Sequence, residues 1–260
     1  MRAILLAAGK GTRISRHFKR PKCTLAIEGV PIIEHTVRIL RKRGIDVSIV
    51  LGYGCDYIRD VLKDYDVDYS YNPFYSVTNS LGSLWMGKRG LSGDEDVIIG
   101  NADVYWEEPL LDRLLEDRRD LVMVVDESRH EVGDYFFYVE DGCIKNYGKE
   151  LKIDERTHEY VGLAKISAKK VPAFVERLEA MVRDEKYGLW WENVLYEYID
   201  EDPVHVVDVS DMFWAEVDYI QDYDRIMEYM RTGDVLSKID KRFAPHSDRS
   251  ALRRLISPPF

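Results

Sequence analysis

The sequence has too few cysteines and too short an apolar run for several classes of protein. Its three cysteines, Cys23, Cys55 and Cys143, stand alone. They lack the CxxC spacing of zinc or redox sites and the density of a disulfide framework. The first apolar run, residues 3–8, is too short to span a bilayer, and no signal-peptide pattern accompanies it. We therefore expect a cytoplasmic protein with no membrane partner.

The chain also has fewer basic than acidic residues. The chain has 37 Lys and Arg against 47 Asp and Glu, a formal net charge of −10. Nucleic-acid-binding proteins draw much of their affinity from basic residues that neutralise phosphates. The balance therefore argues against a nucleic-acid partner and suits an enzyme that concentrates its basic residues in one site. Internal repeats are absent too, so the 260 residues suit one compact body.

Strand and helix patterns alternate over the first half of the chain. From residue 2 to about 126, five apolar strand patterns are separated by helix patterns, which predicts a parallel sheet covered by helices on both faces. In the second half, Asp141-Gly142 between two β-rich runs predicts a hairpin. We predict a Rossmann-like α/β fold with a mostly parallel (mixed) sheet and a small inserted region.

The first strand pattern ends in a glycine-rich turn, LLAAGKGTR at residues 5–13. Such a turn presents backbone N–H groups to anions, above all phosphates. The P-loop spacing is absent, and a dinucleotide fingerprint would need a glycine where Ile14 stands. The basic residues that follow favour a triphosphate over a dinucleotide, although a tight turn and a solvated basic loop would look similar. They are Arg13, Arg16, Lys19, Arg20 and Lys22.

Two candidate carboxylate positions lie far from this turn. Asp103 follows an apolar strand pattern, at the edge where parallel sheets bind ligands. Glu216 and Asp218 are two residues apart, so they face the same way on an extended segment. Carboxylates of this kind hold Mg²⁺ on a triphosphate. The alternatives are that Asp103 only begins a loop and that Asp218 caps the next helix.

AAGKGTR, followed by PKCTLAIEGVPIIEHTV, resembles the nucleotidyltransferases that join a nucleoside triphosphate to a phosphorylated small molecule. The resemblance covers most of residues 1–231. It implies that Arg13 and Lys22 are catalytic and that Asp103 and Asp218 bind Mg²⁺, with Glu216 a weaker candidate ligand.

The same resemblance divides the chain. Residues 1–126 are expected to bind the nucleotide, and residues 127–218 to bind the acceptor and supply the second metal carboxylate. Together with the helix that ends at residue 231 they form one domain. Residues 232–260 form an extension with six basic and three acidic residues. It could pack on a second subunit in a homodimer or lie over the site, and we favour a plain surface extension.

The mechanism implied by this resemblance is in-line attack by a phosphate oxygen of the acceptor on the α-phosphorus of the nucleotide. Pyrophosphate leaves, without a covalent enzyme intermediate or a general base. Arg13 and the amides of Gly9 and Gly11 would hold the β- and γ-phosphates. Lys22 would lie between the α-phosphate and the acceptor phosphate and offset their repulsion.

YNPFYSVTNSLGSLWMGKRGL, at residues 71–91, resembles a stretch of bacterial choline-phosphate cytidylyltransferases and their relatives. The resemblance implies CTP, with Asp103 also on the nucleotide. In the alternative interpretation, Asn79 is a helix cap and Ser83 an ordinary helix residue. The residues expected near the base are Leu6, Ala7, Ala8, Asn79, Ser80 and Ser83.

The second half is rich in aromatic residues, which bind quaternary ammonium groups through cation–π attraction. The resemblance to choline-phosphate cytidylyltransferases implies a small phosphorylated alcohol or amine, phosphocholine-like, as the acceptor. Alternatives are a sugar- or polyol-1-phosphate nucleotidyltransferase using CTP, UTP or TTP, and a non-catalytic nucleotide-binding subunit. A core role for the aromatic residues also stays open. The candidates are Tyr160, Trp190, Trp191, Glu192 and Trp214.

Overall fold

The computed structural model describes residues 1–11, 13, 20–131 and 133–235. Arg16 and Lys19 of the basic stretch lie outside the described residues. So does the predicted C-terminal extension from residue 236 onward. No helix in the described part of the chain is long and apolar enough to cross a membrane.

The elements follow the predicted order closely. The strands are β1 (Arg2–Ala7), β2 (Ala26–Ile27), β3 (Val30–Pro31), β4 (Asp46–Leu51), β5 (Asp68–Tyr71), β6 (Val97–Asn101), β7 (Val104–Trp106), β8 (Leu121–Asp126), β9 (Phe136–Glu140), β10 (Cys143–Gly148), β11 (His158–Ile166), β12 (His205–Asp208) and β13 (Trp214–Glu216). The helices are α1 (Ile32–Lys42), α2 (Cys55–Val61), α3 (Ser80–Met86), α4 (Glu108–Glu116), α5 (Val171–Arg183), α6 (Asn193–Tyr196) and α7 (Ile220–Thr232).

Among the described residues, nine strands form one sheet in the order β5-β4-β1-β6-β11-β8-β12-β10-β9. The strands from β5 to β6 are parallel, and so are β8 and β12. Strand β11 runs antiparallel to both β6 and β8. The α/β fold with a mixed sheet is thus confirmed. The pattern of the first half did not predict one feature of the strand order, because β11 from the second half lies between β6 and β8.

Helices cover both faces of this sheet, as predicted. Successive residues of β1 point to opposite faces. Ala3 and Leu5 pack into a core with residues of α1, α2 and α4, whereas Ile4 packs into a second core with residues of α3, α5 and α6. Both faces of β1 are therefore buried, which explains why its sequence is continuously apolar.

Two local predictions have different outcomes. The hairpin is present: β9 pairs antiparallel with β10, and Asp141 and Gly142 form its turn with φ values of 52° and 70°. The stretch WWENVLYEYID at residues 190–200 predicts a helix of that length, but only α6 is helical there and turns flank it.

Candidate active site

The short two-stranded sheet of β7 and β13 assembles the acidic part of the site. Glu216 pairs with Val104, and the Val217 amide donates a hydrogen bond to the Asp103 carbonyl oxygen at 3.1 Å. This register places Asp103 beside Glu216 and Asp218, which are distant in sequence. The two segments whose carboxylates the sequence pattern singled out are therefore neighbours in the fold.

Lys22 lies among these three carboxylates. Its Nζ is 2.5 Å from Asp103 Oδ2, 2.6 Å from Asp218 Oδ1 and 3.7 Å from Glu216 Oε1. Gly11 packs on the Lys22 stem: its φ is +55°, and a Cβ there would lie 3.1 Å from Lys22 Cγ and Cδ. The glycine-rich turn thus packs against the Lys22 side chain, in addition to presenting the backbone amides that are expected to bind phosphates.

The charges of this group are strongly interdependent. Burial opposes the charged form of Lys22, but the neighbouring carboxylates outweigh burial and raise its pKa well above the ordinary value. Burial, reinforced by Asp103 and Asp218, raises the pKa of Glu216 well above its usual range. Loss of hydration opposes the charged form of the half-buried Asp218, but Lys22 and Arg13 lower its pKa. Asp218 therefore stays ionised more readily than Glu216.

Arg13 is the second cation at this point. Its Nη1 lies 2.5 Å from Asp218 Oδ2 and 3.4 Å from Asp134 Oδ2, and its guanidinium lies 5.4 Å from the centre of the Tyr219 ring. Arg13 and Lys22 thus share Asp218. The sequence pattern gave no sign of Asp134, which stands in a loop without a recognisable motif.

The donor set fits a hard divalent cation, which prefers carboxylate oxygens. Oδ1 of Asp103 is buried and makes no hydrogen bond to any described residue, so it has a free ligand position. Within the described ranges, no group of three or more His, Cys, Asp or Glu side chains is arranged as a ready metal site. Lys22 now neutralises these carboxylates, and phosphate oxygens would have to complete the coordination.

A cavity of about 190 Å³ opens beside the two cations. Six of the candidate site residues line it, together with five further residues. The predicted ones are Arg13, Tyr160, Trp190, Glu192, Glu216 and Asp218; the others are Asn101, Asp134, Tyr135, Lys149 and Tyr196. The acidic site and the aromatic region of the second half therefore share one cavity.

Two of the predicted acceptor residues lie in the core instead. Trp191 is fully buried and donates from Nε1 to Asn101 Oδ1 at 3.3 Å. Trp214 lies in β13 and donates from Nε1 to Asp126 Oδ2 at 2.7 Å. Both indoles are buried and neither lines the cavity, so the structure lends no support to them as acceptor residues.

Tyr135 organises the aromatic wall of the cavity. Its ring is nearly perpendicular to Trp190 at a centroid distance of 5.6 Å and stacks on Tyr196 at 5.7 Å. The hydroxyls of Tyr160 and Tyr196 are buried, and neither makes a hydrogen bond of normal geometry to a described residue. Burial raises the pKa of Glu192 to about 7. The wall thus combines aromatic faces, two tyrosine hydroxyls and one carboxyl that titrates near neutrality.

A family model, the MobA-like NTP transferase domain, matches residues 3–190. The chain belongs to this family. The resemblance drawn from the glycine-rich turn and Pro21-Lys22 is therefore confirmed, and this MobA-like chain is a nucleotidyltransferase.

Two curated relatives match the MobA-like chain over nearly their whole length. The CTP:phosphoglutamine cytidylyltransferase of Campylobacter jejuni is 27% identical over 249 residues, which cover 86% of this chain and 98% of that protein. The choline-phosphate cytidylyltransferase of Streptococcus pneumoniae is 26% identical over 246 residues, covering 89% and 99%.

Solved structures agree on the fold. The CTP:phosphocholine cytidylyltransferase from Streptococcus pneumoniae matches with a TM-score of 0.73 at 24% identity, covering 88% of this chain and 98% of that one. The inositol-1-phosphate CTP transferase from T. maritima matches with a TM-score of 0.71 at 20% identity, covering 89% and 96%. At these identities the likeness establishes the nucleotidyltransferase fold alone.

The residues predicted near the base of the nucleotide lie around the end of β1 and the start of α3. Ala7 and Ala8 are buried, and Leu6 is half-buried. The Asn79 side chain accepts a hydrogen bond from the Ser80 amide at 2.8 Å, so it does cap α3. None of these residues lines the aromatic cavity, and their contact with a base stays a prediction.

Ser80 and Ser83 make internal hydrogen bonds. Ser80 Oγ accepts from the Trp191 amide at 2.9 Å, and Ser83 Oγ accepts from Asn72 Nδ2 at 3.0 Å. Asn72 is fully buried and also donates to Thr78 Oγ1. Part of the motif at residues 71–91 therefore has a structural role. Its Ser80 connects α3 to the aromatic region, and Asn72 connects the loop before α3 to the helix itself.

Proposed function

We propose that the protein transfers the cytidylyl group of CTP to the phosphate of a small phosphorylated alcohol or amine, phosphocholine-like, giving a CDP-linked product and pyrophosphate. One observation carries the proposal. Arg13 and Lys22 meet on Asp218 at the junction between the glycine-rich turn and the aromatic cavity. A triphosphate on the turn and a phosphate in the cavity would both reach this pair of cations.

The chemistry follows from the charges at that junction. An acceptor phosphate oxygen, already ionised at neutral pH, attacks the α-phosphorus in line, and the bond to the β-phosphate breaks. Arg13 and the amides of Gly9 and Gly11 bind the β- and γ-phosphates, while Lys22 separates the α-phosphate from the incoming phosphate. Mg²⁺ bound by Asp103 and Asp218, with Glu216 nearby, would neutralise charge on the triphosphate.

Support for a cationic acceptor comes from the far wall of the cavity. Tyr135 and Trp190 meet almost at a right angle, which leaves a corner of two ring faces for an ammonium group. Glu192 and Asp134 line the same cavity and add negative charge. The relatives named for phosphocholine and phosphoglutamine also take phosphorylated small molecules with CTP, which supports this substrate class.

A second candidate is a sugar- or polyol-1-phosphate acceptor. The buried hydroxyl of Tyr196 makes no hydrogen bond to a described residue, and the Tyr160 hydroxyl and Asn101 line the same cavity. These groups would pair with the hydroxyls of a polyol. The fold shared with the inositol-1-phosphate CTP transferase is compatible with this candidate.

We further propose that the enzyme works in the cytoplasm on small molecules alone. Cys23, Cys55 and Cys143 are all free thiols in the structure, as a reducing compartment would keep them.

The test is a pyrophosphate-release assay that crosses CTP, UTP, TTP and ATP with phosphocholine, phosphoethanolamine, aminoethylphosphonate, inositol phosphate and glucose 1-phosphate. We expect release that depends on CTP and on phosphocholine or a similar small phosphate. Release only with UTP or TTP and glucose 1-phosphate would overturn the proposed substrates while leaving the reaction type. No release with any pair would overturn the proposal as a whole.

A further inference from the structure

Four charged side chains lie together in the interior behind the cavity. Arg129 follows β8, Glu159 belongs to β11, and Asp222 and Arg225 belong to α7. Each is at most 8% exposed. Arg129 Nε lies 2.5 Å from Glu159 Oε2, and Arg225 Nη2 lies 2.7 Å from Asp222 Oδ1. We call this set the buried charge cluster.

The two acidic members use their remaining oxygens on backbone amides. Glu159 Oε1 accepts from the amide of Asp134 at 3.1 Å. Asp222 Oδ2 accepts from the amides of Asp218 and Tyr219 at 2.9 and 2.7 Å. Glu159 and Asp222 thus fix the backbone at Asp134 and Asp218, whose side chains are the two carboxylates that hold Arg13.

We propose that the buried charge cluster positions Arg13: Glu159 acts through Asp134, and Asp222 acts through Asp218. In this arrangement the cluster contacts neither substrate. It sets the separation of the two carboxylates that contact Nη1 of Arg13, and so the direction in which Arg13 meets a triphosphate. The consequence for nucleotide binding rests on the proposed function; the consequence for the conformation of Arg13 does not.

Stability alone does not account for such a cluster. Charges lose hydration when they are buried, and well-packed apolar residues of similar volume often stabilise a fold as well or better. The cluster also joins three elements that are far apart in sequence and ends on the amides of the residues around Arg13. Replacing the outer hydrogen-bond partner of a metal ligand, as Asp222 is to Asp218 in the proposed function, commonly lowers affinity or activity by about 10- to 100-fold.

The test compares Glu159→Gln and Asp222→Asn with a matched control, Asp202→Asn. Asp202 is also buried and paired, with Lys170 Nζ at 2.6 Å and Arg177 Nη2 at 3.3 Å, but none of these three residues lines the cavity. Calorimetric titration of CTP should show binding about tenfold weaker in the two cluster variants. The control should lose thermal stability without losing CTP affinity. Equal CTP affinity in all the folded variants would overturn the proposal.

A double-mutant cycle separates positioning from general loosening of the site. If Glu159 acts through Arg13, Glu159→Gln should add little further loss of CTP affinity in an Arg13→Ala background, because the shared contact is already absent. Fully additive losses would contradict the proposal, since Glu159 would then act independently of Arg13.

If the wild type binds no CTP, the proposed function is overturned. A measurement without ligand still tests the positioning of Arg13 in that case. The side-chain NMR signals of Arg13, identified by their loss in Arg13→Lys, report how firmly its guanidinium is held. In Glu159→Gln and Asp222→Asn we expect faster N–H exchange with water at Arg13, and in Asp202→Asn no change. Unchanged Arg13 exchange in both folded cluster variants would overturn the proposal.

Discussion

Lys22 Nζ lies 2.5 Å from Asp103 and 2.6 Å from Asp218, so one ammonium joins carboxylates from two distant parts of the chain. The contact links the glycine-rich half of the site to the short sheet of β7 and β13. It also means that the cation and the carboxylates needed for a triphosphate are already in contact before any nucleotide is bound. Removing Lys22 or either carboxylate should therefore reduce catalysis more than removing a member of an exposed surface ion pair would.

Lys22→Ala and Asp218→Asn should each lower kcat by about 100-fold or more, as charge-stabilising groups commonly do. Both proteins should remain folded, which circular dichroism can check. Lys42→Ala and Asp112→Asn are the matched controls, because these residues form exposed ion pairs outside the cavity. Near wild-type turnover of Asp218→Asn with Mg²⁺ would show that its assignment as a metal ligand is wrong.

Gly11→Ala should impair catalysis through Lys22. A Cβ at Gly11 would press on the Lys22 stem in a backbone conformation of φ +55°, so both the turn and the ammonium must shift. We expect a fall in kcat/KM of at least about tenfold, on the scale of a misplaced catalytic group.

Gly44→Ala provides the control for backbone strain. Gly44 has a φ of +70°, and a Cβ there would meet no atom within 4 Å. This variant should lose about 1 kcal/mol of stability and keep its kcat/KM. Equal kinetic losses in the two variants would mean that contact with Lys22 is not the cause.

The sequence could predict the main partners of the site because each stood next to a strong local signal. Lys22 follows a proline after the glycine-rich turn, and Asp103 follows a buried strand. Asp134 and Glu159 gave no such signal, because their importance comes only from contacts made across the fold. Local patterns also could not distinguish the roles of Trp190 and Trp191. Trp190 lines the cavity, whereas Trp191 is buried in the core, and the backbone turns before α6 determine which way each side chain points.

The same limit applies to the sheet. Alternating strand and helix patterns correctly predicted the parallel strands from β5 to β6. They could not show that β11 would enter between β6 and β8, because strand order depends on long-range pairing. That insertion is what places Tyr160 on the wall of the cavity.

Glu192→Gln should change how stability depends on pH. Burial raises the pKa of Glu192 from 4.5 to about 7, so between these values the folded protein holds a proton that the unfolded chain has lost. The wild type should therefore lose unfolding free energy as pH rises through this window, whereas Gln cannot titrate. We expect the advantage of Glu192→Gln over wild type to grow by about 2 kcal/mol from pH 5 to pH 8 in urea unfolding.

Glu155→Gln is the control for this pH dependence, because Glu155 is exposed. Its stability difference from wild type should stay constant over the same range. A constant difference for Glu192→Gln as well would contradict the raised pKa of Glu192.

Lys149→Met should reveal the charge of the acceptor. Lys149 Nζ lies 5.0 Å from the centre of the Trp190 ring, where it would compete with a quaternary ammonium group. Removing it should lower the KM for phosphocholine by about threefold, in keeping with an exposed cation–π contact. Lys152→Met, also exposed but outside the cavity, should leave KM unchanged. A higher KM in Lys149→Met would instead indicate that Lys149 binds a neutral or anionic part of the acceptor.

In the proposed reaction, a phosphate oxygen of the acceptor attacks the α-phosphorus of CTP and displaces pyrophosphate. The most direct measurement follows ¹⁸O from phosphocholine labelled in its phosphate, with mass spectrometry of all products. We predict that the label stays entirely in the CDP-linked product, that none enters pyrophosphate, and that Asp218→Asn forms this product at least about 100-fold more slowly. Label in pyrophosphate, or CDP formed together with a diphosphorylated acceptor, would contradict the account.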